Sequence, residues 1–507
     1  MRKESNNMVI SLMAVIALFS LLFVFSGCYI SSGENREDAL ITMHLDNSFI
    51  MSNTSGPFRS GPGGDLSQYE YKILFSGSGG SRSFKVTGET STTITIPAGF
   101  WNITIEAWYG GELYAIGYGS AEVKAGESSS VSIILEDITW SVIAGVIKQQ
   151  GGTYGTVIIT QGNATDNKHR DEITVTATPA ANYSFVKWVS SDNINGAVES
   201  ISASYTFDIT SNATLYAVFD GDGINTPKNI VTAEDLNNVR SNLGWQYALM
   251  ADIVLPASLN WTPIGIQTAG QQFTGTFDGN GKTISGLSIT ATSTHQGLFG
   301  YIATGGEVKN LALINVNIDT TGSNYVGGVA GYNFGTIQNC YVTGVVSSFT
   351  TAVTASQGVG GIAGYNGGTG SVKNCYTIVT ATARSEVGGI VGANQSGGTV
   401  QECVALGQSV TVTASLATIG RVEGSYPSPA GLTNNYARGD MVAYVNGSIN
   451  STAFNAKTPN GKDGQDVSGG TGAGEYNNQS FWTGLGWDFS SVWQWDSTLQ
   501  LPALRKP

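Results

Sequence analysis

The side chains with the most reactive chemistry are scarce in this sequence. Its histidines, His44, His169 and His295, lie far apart, and its four cysteines show no Cys-x-x-Cys spacing. A zinc or redox site needs such a spacing or nearby histidines, and a serine or cysteine hydrolase needs a histidine that a third residue orients. The sequence therefore predicts no metal site, no cofactor and no catalytic residues of this kind.

Clustered carboxylates are the remaining route to catalysis, because glycosidases and polysaccharide lyases use paired acids, or acids with Arg, Lys or a metal. The acids between Gly297 and Asn450 are Glu307, Asp319, Glu386, Glu402, Glu423 and Asp440. Once the repeats described below are stacked, Glu402 and Glu423 can approach one another, and Arg384 with Glu386 can approach a neighbouring repeat. Randomly placed surface charges give the same pattern. We therefore expect a protein that is not an enzyme, with a polysaccharide lyase or glycoside hydrolase as the alternative.

Two acidic, glycine-rich loops carry the oxygen ligands that calcium prefers. They are Asp220-Gly221-Asp222-Gly223 with Asn225, and Asp278-Gly279-Asn280-Gly281. Neither has the twelve-residue loop, closed by Glu, of a calcium hand, and Asp-Gly and Asn-Gly are common turn formers. We expect the first loop to mark a domain junction and the second to form a hairpin turn.

The composition indicates which elements must position these residues. Of 507 residues, 12% are charged and 67 are glycine, and the formal net charge is −13. Few charges with many small and β-branched residues favour an all-β chain rich in turns. The length implies several domains. Because nucleic-acid binding needs clustered Lys and Arg, which the chain lacks, we expect no nucleic acid as partner.

Residues 1–28 have the order of an export signal. A basic start at Arg2-Lys3 precedes an apolar run over 8–25, which ends at Ser26-Gly27-Cys28. This order resembles the bacterial lipoprotein signal, in which small residues precede a cysteine whose thiol is acylated. The resemblance implies a lipid on Cys28 that holds the body to a membrane of the cell envelope. An uncleaved anchor helix is the alternative.

The residues after Cys28 predict a polar tether over 29–38. In enteric bacteria, retention at the inner membrane is associated with Asp directly after the anchor cysteine. This chain has Tyr29 at that position, which favours the outer membrane or cell surface.

Two small β modules are predicted next. Residues 39–137 contain runs such as 71–75 and 101–105 that alternate apolar with polar residues, which is the period of half-buried strands. They predict a β-sandwich and loosely resemble transthyretin-like or immunoglobulin-like modules.

Residues 138–220 carry a more specific pattern. The strand signals include 173–177, 183–188 and 215–219, and their order resembles the divergent internalin B-repeat, a small β-grasp-like module of bacterial surface proteins. The resemblance implies display or adhesion. Because buried aromatics dominate small cores, we expect Phe185 and Trp188 to lie in the core.

Residues 224–507 contain an internal repeat. A capping-box pattern at 232–235 first predicts one short helix. Three copies then share Val-Gly-Gly-x-x-Gly-x-Asn, followed by Gly-[Thr/Ser]-[Ile/Val]-x-[Asn/Glu]-Cys. Equivalent residues of the copies are Val326, Val359 and Val387; Gly328, Gly361 and Gly389; Asn339 and Asn374; and Cys340, Cys375 and Cys403.

Such a unit, with two short strands, cannot bury its apolar face alone, whereas stacked units share a continuous core. The repeat therefore predicts a right-handed parallel β-helix with equivalent side chains in ladders about 4.8 Å apart, and with glycines where φ is positive or backbones approach closely. We expect the three repeat cysteines to fill the interior as small apolar groups, with an inter-coil disulfide or a metal as alternatives. The copies resemble the GLUG repeat, which occurs in surface adhesin-like proteins and beside the protease part of some immunoglobulin A peptidases.

The chain ends in an aromatic segment. Trp482, Trp487, Trp493 and Trp495 are expected to cap the open end of the β-helix, with stacking on sugars as the alternative, and residues 457–474 are expected to form a mobile loop. The predicted function is that of a lipid-anchored, adhesin-like surface protein whose β-helix binds an extracellular glycan or protein. A purely structural envelope protein is the remaining alternative.

Overall fold

The structure is a computed structural model that describes residues 38–46, 68–77, 79–89, 91–147, 153–349, 358–395, 397–414, 418–424 and 431–506. The predicted export signal, the tether up to residue 37 and Cys28 lie outside the described residues. The chain divides into two compact units, residues up to Ile138 with Lys168–Arg170, and residues 139–167 with 171–507.

The first unit has strands whose alternate residues are apolar, so each sheet has one face to bury. They are β1 (Asp38–Asp46), β2 (Glu70–Gly77), β3 (Gly80–Thr87), β4 (Ser91–Pro97), β5 (Gly99–Tyr109), β6 (Glu112–Val123), β7 (Ser128–Ile134) and β8 (Glu136–Asp137). One sheet has the order β4-β1-β7 and the other β3-β2-β5-β6-β8. Ile41 of the first sheet and Tyr71 and Trp101 of the second share one buried core, which confirms the predicted sandwich.

The second module forms two sheets of three or four strands, besides one short two-stranded pair. Its strands are β9 (Thr139–Trp140), β10 (Val142–Val146), β11 (Gly155–Gln161), β12 (Asn167–Lys168), β13 (Glu172–Pro179), β14 (Tyr183–Val189), β15 (Val198–Ser200), β16 (Ser204–Asp208) and β17 (Ala213–Gly221). The orders are β10-β17-β14-β15 and β11-β13-β16, and the short pair is β9-β12. Trp188 is fully buried, and its indole N–H donates to the carbonyl oxygen of Ser202 at 3.0 Å. Phe185 packs against it at 5.8 Å between ring centroids, so both residues lie in the core as predicted.

The third region begins with the predicted helix. The Thr232 side chain accepts a hydrogen bond from the Asp235 amide at 3.1 Å, and the Asp235 carboxylate accepts one from the Thr232 amide at 2.9 Å. This capping box starts helix α1 (Ala233–Asn238), which buries Leu236 and passes into a short 3-10 helix, Val239–Ser241.

The strands of the third region are mostly three or four residues long. In chain order they are β18 (Lys228–Ile230), β19 (Gln246–Leu249), β20 (Ile253–Val254), β21 (Thr276–Asp278), β22 (Thr283–Ser285), β23 (Ser288–Ile289), β24 (Phe299–Ile302), β25 (Glu307–Lys309), β26 (Ala312–Thr321), β27 (Tyr325–Gly327), β28 (Ala330–Asn333), β29 (Thr336–Gln338), β30 (Tyr341–Phe349), β31 (Gly358–Gly360), β32 (Ala363–Asn366), β33 (Ser371–Lys373), β34 (Tyr376–Ala383), β35 (Glu386–Gly388), β36 (Val391–Asn394), β37 (Thr399–Gln401), β38 (Val404–Ala405), β39 (Ser409–Val412), β40 (Thr418–Gly420), β41 (Leu432–Thr433), β42 (Tyr436–Arg438), β43 (Val442–Val445), β44 (Ser448–Ile449) and β45 (Gln465–Val467). Helix α2 (Gln479–Gly484) and the hairpin β46 (Trp493–Asp496) and β47 (Leu501–Leu504) end the chain.

These strands form a parallel β-helix, as predicted. Its faces are the sheets β18-β19-β21-β25-β29-β33-β37-β41, β20-β22-β26-β30-β34-β38-β42-β45, β24-β28-β32-β36 and β27-β31-β35-β40. Each full copy of the repeat contributes one strand to each of these four sheets, for example β27, β28, β29 and β30. The expectation of two strands per repeat is wrong, because three-residue strands separated by corners show no period of two.

The Asp278-Gly279-Asn280-Gly281 loop is a corner between two faces of the β-helix and not a hairpin turn. The strands on either side of it, β21 and β22, belong to different sheets, and each pairs in parallel with the next coil. Asn280 takes a φ of +51° and is fully buried, and its side-chain amide donates to the carbonyl oxygen of Leu249 at 3.0 Å. The loop forms the bend that its composition predicts, but the strands on either side of it pair with strands of the next coil and not with each other.

The C-terminal aromatic segment covers a side of the β-helix rather than its end. Phe481 packs on Tyr436 at 5.2 Å, Trp482 on Tyr376 at 5.5 Å, and Trp493 near Tyr341 at 6.5 Å. The Tyr376 hydroxyl donates to the carbonyl oxygen of Pro502 at 2.9 Å, and the Trp487 indole N–H donates to the carbonyl oxygen of Glu402 at 3.0 Å. Lys506 forms an ion pair with Asp252 at 2.6 Å. We call residues 476–506 the C-terminal strap, because it crosses one face from the last coils back to the first.

Trp495 of the strap is half-buried in the same aromatic cluster, whereas Trp482, Trp487 and Trp493 are buried. The expectation of an end cap is therefore wrong. The apolar first residues of β30, β34, β38 and β42 give the strap an apolar stripe to cover. The predicted mobile loop over 457–474 also contains a strand, β45, which pairs with β42.

Candidate functional site

The repeat cysteines line the interior of the β-helix. Cys340, Cys375 and Cys403 are fully buried and not in disulfides. Burial raises the pKa of the Cys375 and Cys403 thiols well above the ordinary value. A neutral, enclosed thiol is a poor nucleophile and a poor metal ligand. Within the described residues no group of three or more His, Cys, Asp or Glu side chains is arranged to hold a metal.

Two amide ladders run along the axis. At one corner, Asn310, Asn339 and Asn374 take φ values of +51°, +53° and +51°, a region that Asn tolerates better than other side chains. The Asn339 amide donates to the Asn310 side-chain oxygen at 3.1 Å, and the Asn374 amide donates to that of Asn339 at 3.4 Å. Glu402 occupies the same position in the next copy, with a φ of +54°.

The second ladder is fully buried and consists of Asn333, Asn366 and Asn394. The Asn333 amide donates to the Asn366 side-chain oxygen, and the Asn366 amide donates to that of Asn394, both at 2.8 Å. These residues close the Val-Gly-Gly-x-x-Gly-x-Asn segment of each copy. Because buried polar groups need partners, the ladder fixes the register of one coil on the next.

The repeat glycines are required for close backbone approach rather than for positive φ. A Cβ on Gly328 would lie 2.6 Å from the carbonyl oxygen of Gly361. In the same way, a Cβ on Gly361 would clash with the carbonyl oxygen of Gly389, and a Cβ on Gly389 would clash with the carbonyl oxygen of Arg421. None of the three glycines has a positive φ. They therefore set the spacing of the coils.

The acids of the β-helix are dispersed. Glu402 follows β37 and lies 3.5 Å from Lys373, whereas Glu423 is buried beside Val391 at the start of β36. Stacking thus places Glu402 and Glu423 on different faces. Other acids have local partners, namely Glu307 with Lys309 at 2.8 Å, Asp319 with Ser347 at 2.7 Å and Asp440 with Arg438 at 2.7 Å. The arrangement of these acids does not resemble the facing carboxylates of a glycosidase.

The first acidic loop is a closed turn. The carboxylate of Asp222 accepts hydrogen bonds from the amides of Ile224, Asn225 and Thr226 at 2.8–3.0 Å, and also from the Asn225 side chain. The bond from the Asn225 side chain is the largest cause of a pKa for Asp222 well below its usual range. Its oxygens are occupied by protein donors, as expected of a turn rather than a calcium site.

The histidines have local roles. His44 lies 3.1 Å from the hydroxyl oxygen of Ser91, and Nε2 of His169 lies 3.0 Å from the carboxylate of Glu112 within the first unit. The hydrogen bond to His169, and then that to Arg170, lower the pKa of Glu112. His295 has a different setting, in an aromatic cluster.

That cluster is the most distinctive surface of the β-helix. Tyr301, Tyr332 and Tyr365 are in register on β24, β28 and β32, and parallel pairing places equivalent side chains about 4.8 Å apart. Tyr301 and Tyr332 have ring centroids 5.1 Å apart at 6°, and Tyr332 and Tyr365 have centroids 4.1 Å apart at 12°. The three rings therefore form a stacked column.

Three further rings flank the column. Phe334 meets the ring of Tyr332 edge-on at 5.1 Å, and Tyr325 and His295 meet it edge-on at 5.3 Å and 5.1 Å. Tyr325 and His295 also stack on each other at 5.9 Å and 10°. We call these six residues, His295, Tyr301, Tyr325, Tyr332, Phe334 and Tyr365, the aromatic patch. Tyr301 is buried and the other five are half-buried.

The protonation of the patch reflects partial burial. Desolvation raises the pKa of Tyr332, and the hydrogen bond with Tyr365 raises it further. Desolvation also lowers the pKa of His295. The patch therefore carries neutral rings near pH 7, with hydroxyl groups as polar handles on an apolar surface.

Sequence reasoning included these tyrosines in the repeat but did not identify the patch. The signal was present, since Tyr332 and Tyr365 occupy the same position of Gly-Tyr-Asn in two successive copies and Tyr301 follows Gly300 in a degenerate one. Tyr325 and Phe334 lie just outside the repeated motif. Their contribution depends on the corners that bring β27 and β28 together.

Family comparisons agree with the predicted resemblances. Residues 146–223 match the divergent InlB B-repeat domain, and residues 322–347 match the GLUG motif. The chain therefore contains an InlB-type B-repeat module followed by a GLUG-type β-helix.

Curated relatives match only parts of the chain. A protein named as a Gly-rich membrane protein from Evansella cellulosilytica is 39% identical over 138 residues, which are 25% of this chain and 16% of that protein. Halomucin from Haloquadratum walsbyi is 42% identical over 109 residues, which are 20% of this chain and 1% of halomucin. The chain thus spans a small part of either relative. The name of the first relative describes a membrane protein.

Among solved structures, a protein from Bacteroides ovatus described as an immunoglobulin A1 protease aligns with 56% of this chain and 93% of its own, at 20% identity and a TM-score of 0.40. An IgA1 protease aligns with 75% of this chain and 24% of its own, at 14% identity and a TM-score of 0.29. These likenesses are too distant to bear on activity. In the part of the chain that the structure describes, no helix has the length and apolar character needed to span a bilayer.

Proposed function

We propose that this chain is a lipid-anchored protein of the cell surface whose β-helix binds a glycan or protein ligand through the aromatic patch, without catalysis. The cluster of six rings, five of them partly accessible at the surface of the β-helix, is the observation on which the proposal rests. Tyr is enriched where proteins bind partners, because its ring is apolar and its hydroxyl is polar.

The patch is suited to binding because it is already ordered. Stacking of Tyr332 between Tyr301 and Tyr365, and the in-register strands beneath, fix the rings before a ligand arrives. A ligand therefore does not have to immobilise these side chains, which reduces the entropic cost of association. Phenolic hydroxyls at the spacing of the strands can form hydrogen bonds with a ligand that is itself extended and repetitive, such as a polysaccharide or a β-rich protein.

A non-catalytic role is supported by the dispersed acids and the buried thiols. Glu307, Asp319, Glu402 and Asp440 have local partners, and the repeat cysteines are fully buried. One curated relative is named as a membrane protein, and neither printed name is that of an enzyme.

The lipid anchor rests on the sequence around Cys28. Growth with a radiolabelled fatty acid should label the full chain, and Cys28→Ala should abolish the labelling while the protein is still made. Protease added to intact cells should remove the body of the wild-type protein. Unchanged labelling of the variant would contradict the assignment of Cys28, and protection from protease would contradict surface exposure.

Binding through the patch can be tested with the full chain in a mild detergent. Glycan arrays and immobilised extracellular matrix proteins are compared for the wild type and the double variant Tyr332→Ala/Tyr365→Ala. We expect the variant to lose signal by tenfold or more on the ligand that the wild type binds. Tyr118→Ala is the matched control, because Tyr118 is 71% exposed on β6 and belongs to the first compact unit.

The proposed role of the patch would be overturned if the wild type bound neither the glycan array nor the matrix proteins, or if the double variant bound as well as the wild type. Equal thermal unfolding temperatures of the double variant and of Tyr118→Ala would show that lost binding does not reflect lost folding. Depolymerisation of a polysaccharide by the wild type would overturn the non-catalytic assignment.

A further inference from the structure

A cavity of about 500 Å³ lies at the first coils of the β-helix. Its walls come from the end of the 3-10 helix that follows α1, from the segment 262–266 and from the segment 270–274. This volume is within the range of small-molecule sites in proteins. None of the six residues of the aromatic patch lines the cavity, although the segment 262–266 pairs with β24, the strand that carries Tyr301.

The cavity contains a fixed arginine. Nη1 of Arg240 donates to the backbone and side-chain oxygens of Asn237 at 2.8 Å and 2.6 Å, and Nη2 donates to the carbonyl oxygen of Thr262. The guanidinium also lies over the ring of Trp261, 4.4 Å from the centroid. Neutral groups therefore hold the cation in place on the cavity wall.

Within the described residues, no carboxylate oxygen lies within 4.0 Å of the guanidinium nitrogens of Arg240, and its buried Nε–H has no acceptor there. Arg421 and Arg438 differ, since Arg421 pairs with Asp466 at 2.5 Å and Arg438 with Asp440 at 2.7 Å. In a chain with a net charge of −13, Arg240 is therefore a half-buried cation on a cavity wall that no described carboxylate neutralises. Burial lowers the pKa of Arg240, because the charged form loses hydration.

The remaining walls combine two kinds of side chain. Ser241, Thr274, Gln271 and Gln272 provide hydroxyl and amide groups, and Leu243 and Ile266 provide apolar contacts. Hydroxyl and amide groups match the hydroxyls of a sugar ring, while apolar groups match its C–H face. Both N–H groups of Nη1 and one of Nη2 are already donated to Asn237 and Thr262. The second N–H of Nη2 is therefore the donor left for a carboxylate oxygen, and a hydrogen bond between charged groups is stronger than one between neutral groups.

We propose that this cavity binds a carboxylate-bearing sugar, with Arg240 as the partner of the carboxylate. The carboxylate of the ligand supplies a negative charge beside Arg240, and the hydroxyls of the ligand can form hydrogen bonds with the Gln and Thr side chains of the walls. Neither Tyr332 nor Tyr365 lines the cavity. Tyr332→Ala/Tyr365→Ala should leave it intact, so the two proposals can fail separately.

The test uses isothermal titration of the full chain in detergent with glucuronate, galacturonate and N-acetylneuraminate. Glucose and galactose are the neutral counterparts, and inorganic phosphate and sulfate test whether any anion suffices. We expect at least one acidic sugar to bind tenfold or more tightly than its neutral counterpart and than either inorganic anion. Binding should weaken as salt is raised. Equal binding of neutral and acidic sugars, or no binding of acidic sugars, would overturn the proposal, as would binding of inorganic anions alone.

Variants identify the residue. Arg240→Gln should reduce affinity for the acidic sugar by tenfold or more. Arg240→Lys should restore only part of it, because an ammonium cannot keep the hydrogen bonds to Asn237 and Thr262 that orient the guanidinium. Arg82→Gln is the control for the loss of one positive charge, since Arg82 is exposed on β3. Because Arg240 also forms hydrogen bonds with Asn237 and Thr262, its replacement can disturb the local fold, and a second variant is needed that leaves Arg240 in place. Ile266→Trp fills the cavity from a position that is 48% exposed. Unchanged affinity in both Arg240→Gln and Ile266→Trp would place the ligand elsewhere.

Discussion

The buried amide ladder offers the sharpest test of what holds the coils in register. Asn366 lies in the middle of it, accepting a hydrogen bond from Asn333 at 2.8 Å and donating to Asn394 at 2.8 Å and to the carbonyl oxygen of Thr399 at 3.1 Å. Asn366→Ala removes all three bonds. The Asn333 amide and the Asn394 and Thr399 oxygens each lose one hydrogen bond, and because the ladder is fully buried, bulk water does not replace it.

A hydrogen bond within a protein contributes about 0.5–1.5 kcal/mol to its stability. The loss of three such bonds at a buried site, where the Asn333 amide keeps only a 3.4 Å contact to the carbonyl oxygen of Ser371, therefore predicts a decrease of about 1.5–4.5 kcal/mol in the unfolding free energy. The measurement is urea denaturation of the full chain in detergent, followed by tryptophan fluorescence and circular dichroism.

The matched control is Asn260→Ala. Asn260 also makes two hydrogen bonds across coils, donating to the carbonyl oxygen of Thr290 at 3.0 Å and accepting from its amide at 2.8 Å, but its side chain is exposed. Water replaces the lost partner there, so the expected loss is about 1 kcal/mol or less. Losses of equal size in the two variants would refute the reasoning that burial, rather than the number of hydrogen bonds, determines the contribution of the ladder.

Three further predictions concern other features of the β-helix. Gly361→Ala should lower the unfolding free energy by about 2 kcal/mol or more, because the new Cβ meets a carbonyl oxygen, whereas Gly484→Ala, at the end of α2 with open space around it, should be neutral or slightly stabilising in the same denaturation assay. Burial raises the pKa of Cys375 in the folded protein, so the contribution of its thiol to stability is fully present below the unfolded thiol pKa of about 8.5 and is lost as pH rises above that value. Denaturation midpoints that rise between pH 8 and 10 would contradict this. Thiol reagents should label Cys375 only after unfolding. Trp493→Ala should cost about 3–5 kcal/mol of local stability and expose the C-terminal strap to limited proteolysis before the coils, whereas Trp495→Ala, at a half-buried position, should have a smaller effect.

The sequence predicted those parts of the fold that depend on periodicity. Copies with equivalent Val, Gly and Cys residues required stacking, because one copy has too few apolar residues for a core of its own. The helix at Ala233–Asn238 was predicted from the side-chain chemistry of Thr232 and Asp235, which acts locally. In both cases the information lies within a few residues or within an exact repeat.

The parts that were wrong or missed depend on contacts between distant segments. The hairpin assigned to Asp278–Gly281 is a corner, because turn-forming residues fix a bend but not the partners of the flanking strands. The Trp-rich terminus was wrongly assigned to the end of the β-helix. The row of residues that it covers, which includes Tyr341 and Tyr376, becomes continuous only when the coils are stacked. The aromatic patch has the same origin, because its flanking rings come from outside the repeated motif.

The C-terminal strap has a mechanical consequence. A solenoid whose coils contact only their neighbours can peel from its last coil, one coil at a time, because each step breaks only one interface. Here the polypeptide that leaves the last coils is fastened across the earlier ones, from Phe481 on Tyr436 to Lys506 on Asp252. Tension on a ligand bound along the side is therefore resisted by several coils at once, and fraying of the last coil is opposed by the tail that follows it.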